Sequence, residues 1–155
     1  MGIESANYTI TLKDGLERVP EVLAQLGGLQ RHGVRNDFQT WIFEDDHYWI
    51  DVMTGSFGPN SSLAISVRVA LCNPVDVEMR LRQLLTDLLG HFGGRLYDSQ
   101  TSRSYTKVDD PAWTDIYGGF AAKRAQFRQH FGSFEAAISG ERVFDVIRER
   151  QKKTT

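Results

Sequence analysis

The side chains with the most chemical capacity gather in the middle of this chain. Glu44-Asp45-Asp46-His47 lies between Trp41-Ile42-Phe43 and Tyr48-Trp49, with Asp51 just beyond and Arg68 in the next apolar run. Carboxylates flanked by indole and phenol rings suit contact with a basic partner, where charge speeds association and aromatic area holds the complex. Three acids in a row equally suit a solvated hairpin turn. Asp45, Asp46, His47 and Asp51 are metal-ligand types, but their spacing matches no metal-binding motif, and neither a metal nor a cofactor is assigned.

Catalytic groupings are hard to assemble. The sequence holds no G-x-S-x-G, H-E-x-x-H, Walker or G-x-G-x-x-G pattern. Cys72 is the single cysteine and ends an apolar run, which favours packing over nucleophilic work. His91 and His130 fall near the ends of helical stretches, where the dipole favours an imidazolium, and His32 falls in a polar loop. No catalytic residue is assigned, and a binding protein is favoured over an enzyme.

Strands must position the acidic and aromatic residues. Leu63, Ile65, Val67, Val69 and Leu71 alternate with small or polar residues, the period of two that buries one face of a strand. Tyr8, Ile10 and Leu12 do the same across 7–13. The runs 37–43 and 47–53 read as strands joined by the acidic link in a hairpin. Strand parity then assigns Tyr8, Ile10, Leu12, Tyr48, Ile50, Val52 and the odd positions of the 63–71 strand to a helix-covered face. Trp41, Phe43, Trp49, Asp51, Met53 and Arg68 fall to the other. A charge on a central strand needs a partner, and Asp51 is the expected one for Arg68. Two readings stay open: a structural ion pair under the C-terminal helices, or a shallow aromatic surface for a ligand or a protein.

Helices complete the layout. Leu16, Val19, Val22, Leu23 and Leu26 recur at helical intervals, with Pro20 marking either a kink or the true first turn. Asn73-Pro74 caps a helix whose buried stripe is Leu81, Leu84, Leu85, Leu88 and Phe92, with Arg80, Arg82, Gln83 and Asp87 on the solvated side and Gly93-Gly94 at its end. Asp110-Pro111 repeats the cap signal for a helix faced by Trp113, Ile116, Tyr117, Phe120, Phe127 and Phe131. Gly118-Gly119 inside that helix lowers its propensity by about 1 kcal/mol per glycine relative to alanine, a cost that close approach of another element would explain. Ser133 is read as capping a short helix through Ile138. The final helix is expected over 141–150 with Val143, Phe144 and Ile147 inward, and 151–155 is expected to fray. The order β-α-β-β-β-α-β-α-α describes one α+β domain over 1–155, a mainly antiparallel sheet of about five strands with helices packed on it. The two strands of the 62–98 unit would form a crossover if they run parallel.

Composition sets the outer limits. A chain of 155 residues with a net charge of −2 is one domain with no basic footprint for general nucleic-acid binding. The first sixty residues hold nine acids and four bases, while 121–155 hold four acids and eight bases, so the front is acidic and the tail basic. One cysteine, no basic-then-apolar leader and no long apolar run lead to the expectation of a cytoplasmic protein without a membrane segment. Arg142, Arg148, Arg150, Lys152 and Lys153 read as a solvated face on the last helix.

Ala64-Ile65-Ser66-Val67-Arg68-Val69-Ala70-Leu71-Cys72-Asn73-Pro74, the leucine-rich helix, Gly93-Gly94 and Leu96-Tyr97-Asp98 together resemble the small cytoplasmic α+β immunity proteins of bacterial polymorphic-toxin and type VI secretion systems. The resemblance covers 62 to 106. It implies a non-enzymatic inhibitor that binds one cognate toxin and blocks its active site. The contact surface expected from the residues is Trp41, Glu44, Asp45, Asp46, Tyr48 and Trp49. The alternative is a small-molecule-binding or catalytic domain with a pocket around Arg68 and Asp51. Self-association through the aromatic surface is a third reading.

Overall fold

The computed structural model describes residues 4–13, 15–31, 38–44, 48–55, 64–72, 77–132, 134, 138 and 140–154. Its strands are β1 (Ser5–Thr11), β2 (Leu29–Arg31), β3 (Phe38–Glu44), β4 (Trp49–Gly55), β5 (Ala64–Ala70), β6 (Arg95–Asp98) and β7 (Arg103–Tyr105). Its helices are α1 (Val19–Gln25, after a single 3-10 turn at Leu16–Arg18), α2 (Val77–Phe92), α3 (Asp110–Phe131) and α4 (Gly140–Thr154). The strands form one seven-stranded sheet in the order β2-β3-β4-β5-β1-β6-β7, antiparallel at every neighbouring pair. The α+β class therefore stands, with two three-residue edge strands, β2 and β7, in stretches the sequence presents as polar connections.

β1 lies between β5 and β6 and runs antiparallel to both, so β5 and β6 are parallel to each other with α2 as their connection. Alternation drives this arrangement. Tyr8, Ile10, Ile50, Val52, Ile65, Val67, Val69 and Leu96 are all fully buried, and Leu81, Leu84, Leu85, Leu88 and Phe92 of α2 join them in one core. At about 25 cal/mol per Å² of apolar surface removed from water, this shared face is the main source of stability. α1 and α2 meet the sheet at Phe43, where Arg80 places its guanidinium 5.1 Å from the ring centroid and donates to the Leu26 carbonyl at 2.7 Å. Arg80 is thus drawn into the interface rather than left on a solvated side.

Local signals set the element ends. Pro20 falls in the first turn of α1, where its missing N–H costs nothing. The N-cap of α3 is Asp109, one residue before the position expected from Asp-Pro, and its Oδ1 accepts from the Ala112 N–H at 3.0 Å. Gly94 follows α2 at φ +89°, and a Cβ there would meet the Thr11 carbonyl oxygen at 2.0 Å, so only glycine lets β6 start against β1. α4 continues to Thr154, beyond the expected end at 150, with Val143 and Ile147 buried as expected. The Asn73-Pro74 cap, the Ser133 cap and the Phe144 side chain lie outside the described residues.

One expectation about the faces is overturned. Trp41 pairs with Val52 and Phe43 with Ile50, and antiparallel partners share a face, so both aromatic rings point into the helix-covered core. Trp41 is only 2% exposed. The hairpin matches odd positions of β3 with even positions of β4, and a one-residue difference in register moves every side chain to the opposite face.

Candidate functional site

Cross-strand rows define what the second face carries. Ile42, Asp51, Arg68 and Asn7 form one row across β3, β4, β5 and β1, and Met53, Ser66, Thr9 and Tyr97 form the next across β4, β5, β1 and β6. Met53, Ser66, Arg68, Asn7 and Thr9 are half-buried, and Tyr97 is 41% exposed. By contrast, α2 reaches Phe43 and α3 reaches Asp98 on the Tyr8 face. The sheet is thus covered on one side and half-open on the other over much of β4, β5, β1 and β6.

The expected ion pair lies within this open face. Arg68 Nε and Nη2 donate to Asp51 Oδ2 at 3.1 and 2.7 Å, and Trp49 Nε1 donates to Asp51 Oδ1 at 2.9 Å. Asp51 is 3% exposed, yet both of its oxygens are engaged, one by a cation and one by an indole. Such an arrangement satisfies a buried carboxylate inside the sheet. It ties β4 to β5 and fixes the Trp49 ring at the start of β4. A groove of ≈ 350 Å³ is lined by residues of α2 and by Trp113.

The other expected contact residues divide three ways. Glu44 is exposed at the end of β3, in register with half-buried Trp49, and Tyr48 is half-buried beside it. Asp45 and Asp46 lie outside the described residues. Trp41 is withdrawn from the contact set because it packs in the core.

Cys72 behaves as packing material. Its Sγ donates to the Ile138 carbonyl at 3.5 Å, and burial pushes its thiol above the ordinary range, which disfavours the nucleophilic thiolate. Among the described residues no group of three or more histidine, cysteine or acidic side chains is placed to hold a metal ion. No helix among them is long and apolar enough to cross a membrane.

A second polar cluster escaped the residue-by-residue reading. Asp98 and Tyr8 are register partners on the covered face, both fully buried, with Gln100 and Thr101 in the turn that follows. Gln100 ties this cluster to β1, since its Oε1 accepts from the Asn7 N–H at 2.7 Å and its Nε2 donates to Asp98 Oδ1 at 2.7 Å. The available signal was Gly119, which marked a close approach without saying to what. Comparison of the chain with protein-family models, curated proteins and solved structures gives no match.

Proposed function

We propose that this chain is a protein-binding inhibitor of the immunity type, which acts in the cytoplasm by seating the half-open sheet face and the adjoining end of the β3–β4 hairpin on a cognate toxin. The observation that carries this reading is the asymmetry of the sheet. One face is buried under helices. The other presents Tyr97, Met53 and the polar row beside them, with exposed Glu44 and half-buried Trp49 and Tyr48 at one end. The resemblance of residues 62 to 106 to immunity proteins supports the same reading.

The chemistry favours a partner with a basic rim. Glu44 with Asp45 and Asp46 supplies the negative charge that steers association, and the aromatic side chains supply area that orders at low entropic cost. The Asp51–Arg68 pair then serves as the internal brace of that surface.

The test begins with co-purification from the native cell and identification of the bound protein, followed by kinetics with that protein. Reversing charge through Glu44→Lys, Asp45→Lys and Asp46→Lys together is expected to slow association about tenfold or more at low salt and to flatten its salt dependence. Tyr97→Asp is expected to speed dissociation. Unchanged kinetics in both variants removes this surface from the interface. A mass in solution of two or more chains, with no other protein captured, replaces the inhibitor by a self-associating subunit.

A further inference from the structure

Asp98 is a buried carboxyl group with an unusual set of neighbours. Its Oδ1 accepts from the Gln100 N–H at 2.8 Å and from Gln100 Nε2 at 2.7 Å. Its Oδ2 has no hydrogen-bond partner among the described residues, nor do the buried Tyr8 Oη, Thr101 Oγ1 and Tyr105 Oη. α3 presses directly on this group. A Cβ on Gly119 would lie 2.8 Å from Thr101 Cγ2, 3.4 Å from Gln100 Cβ and 3.9 Å from Asp98 Oδ2.

The cations around Asp98 are engaged elsewhere. Tyr8 faces it from β1, and burial together with the Asp98 carboxyl holds that phenol well above its ordinary range. From β7 come Tyr105 and Arg103, the register partner of Asp98, whose Nη1 donates to Asp115 Oδ2 of α3 at 3.3 Å. Lys123, one turn beyond Gly119, has the Glu4 carboxylate as its charged neighbour, and burial lowers its pKa. Among the described residues no cation forms an ion pair with Asp98. An isolated buried carboxylate is very costly, whereas a neutral carboxylic acid keeps its acceptor oxygen and gains a donor.

We propose that Asp98 is a proton-dependent latch between the sheet and α3: as the acid it sits neutral beneath Gly119, and loss of its proton leaves a buried charge there that loosens α3. The direction of its titration agrees, because burial pushes the carboxyl up and the polar groups of Gln100 and Thr101 offset only part of that. A group whose pKa is higher folded than unfolded contributes stability that is complete below the unfolded value and is lost as pH rises through the folded one. The latch is therefore closed in acid and relaxes toward higher pH. This device concerns the covered face and is independent of what binds the open one.

The test compares the pH dependence of thermal unfolding in the intact chain and in Asp98→Asn, an uncharged side chain of the same shape. The wild-type Tm is expected to fall, relative to Asp98→Asn, by about 3 °C or more as pH rises from the ordinary carboxylate range past the raised Asp98 value. Backbone amides of α3 around Gly119 are expected to exchange faster over the same interval in the wild type alone. Parallel Tm profiles for the two proteins overturn the proposal. Should Asp98→Asn fail to fold, carboxyl-carbon NMR of the wild type decides: titration of Asp98 at or below the usual aspartate value of about 3.9 overturns the proposal, and titration above it upholds it.

Discussion

Two buried aspartates, one on each face of the same sheet, solve the same problem in opposite ways. Asp51 lies in the row Ile42–Asp51–Arg68–Asn7, and Asp98 lies in the neighbouring row Trp41–Val52–Val67–Tyr8–Asp98–Arg103 on the other side. Each is nearly or fully inaccessible to solvent. Asp51 has a guanidinium on one oxygen and an indole N–H on the other, so its charge is compensated where it forms. Two bonds from Gln100 converge on one Asp98 oxygen, the neutral polar groups of Gln100 and Thr101 offset only part of its burial, and that burial holds the carboxyl toward the protonated form. The difference lies in the supply of partners rather than in depth. Arg68 bonds to Asp51, whereas Arg103, the cation in the Asp98 row, bonds to Asp115 and leaves Asp98 among neutral groups.

Removing the Asp51 charge tests that comparison most severely. Asp51→Asn leaves Arg68 partly buried without its carboxylate, and deleting one member of such a pair costs about 3 kcal/mol. Chemical denaturation should show that loss as a lower midpoint with an unchanged slope. Asp98→Asn at neutral pH should cost far less, because the amide replaces a group the fold already prefers uncharged. Equal losses from the two substitutions would break the comparison.

How much of this was legible in the chain differs between the two sites. The alternation in 63–71 and the leucine stripe of α2 identified the central strand and its covering helix, and Arg68 on that strand required a carboxylate that Asp51 supplies. Both inferences rest on local periodicity, which a sequence displays directly. The side on which Trp41 and Phe43 fall was not legible, because it depends on hairpin register, and one residue of slip reverses it. The strands β2 and β7 were also missed. Three residues carry too little alternation to register, and both gain their order from the longer strands beside them. The sequence places Asp98 in a strand without showing its burial, since its partner Tyr8 lies ninety residues earlier and its cover, Gly119, lies twenty-one residues later. Only long-range packing reveals such a group.

Gly119 bears on the Asp98 side alone. Gly119→Ala gains helix propensity of about 1 kcal/mol but drives a methyl group to 2.8 Å from Thr101 Cγ2, and overpacking of this kind costs about 1–3 kcal/mol. A net loss of about 1 kcal/mol is expected in denaturant titration, together with a change in the pH profile, because Thr101 and Gln100 must shift away from Asp98. The Asp51–Arg68 side should be untouched. Combining Gly119→Ala with Asp51→Asn should therefore give additive losses within a few tenths of a kcal/mol.

Gly118→Ala carries the smallest effect and makes the sharpest control. Gly118 is exposed on the same helix, and a Cβ there meets no atom within 4 Å. Only the propensity gain remains, a stabilisation of up to about 1 kcal/mol measured by the same titration. Two adjacent glycines, equal in their cost to the isolated helix, should then respond with opposite signs. If Gly119→Ala stabilises as Gly118→Ala does, Thr101 yields to the added methyl group without strain. α3 would then not press closely on the Asp98 cluster, and the contrast between the two aspartates would rest on the turn of Gln100 and Thr101.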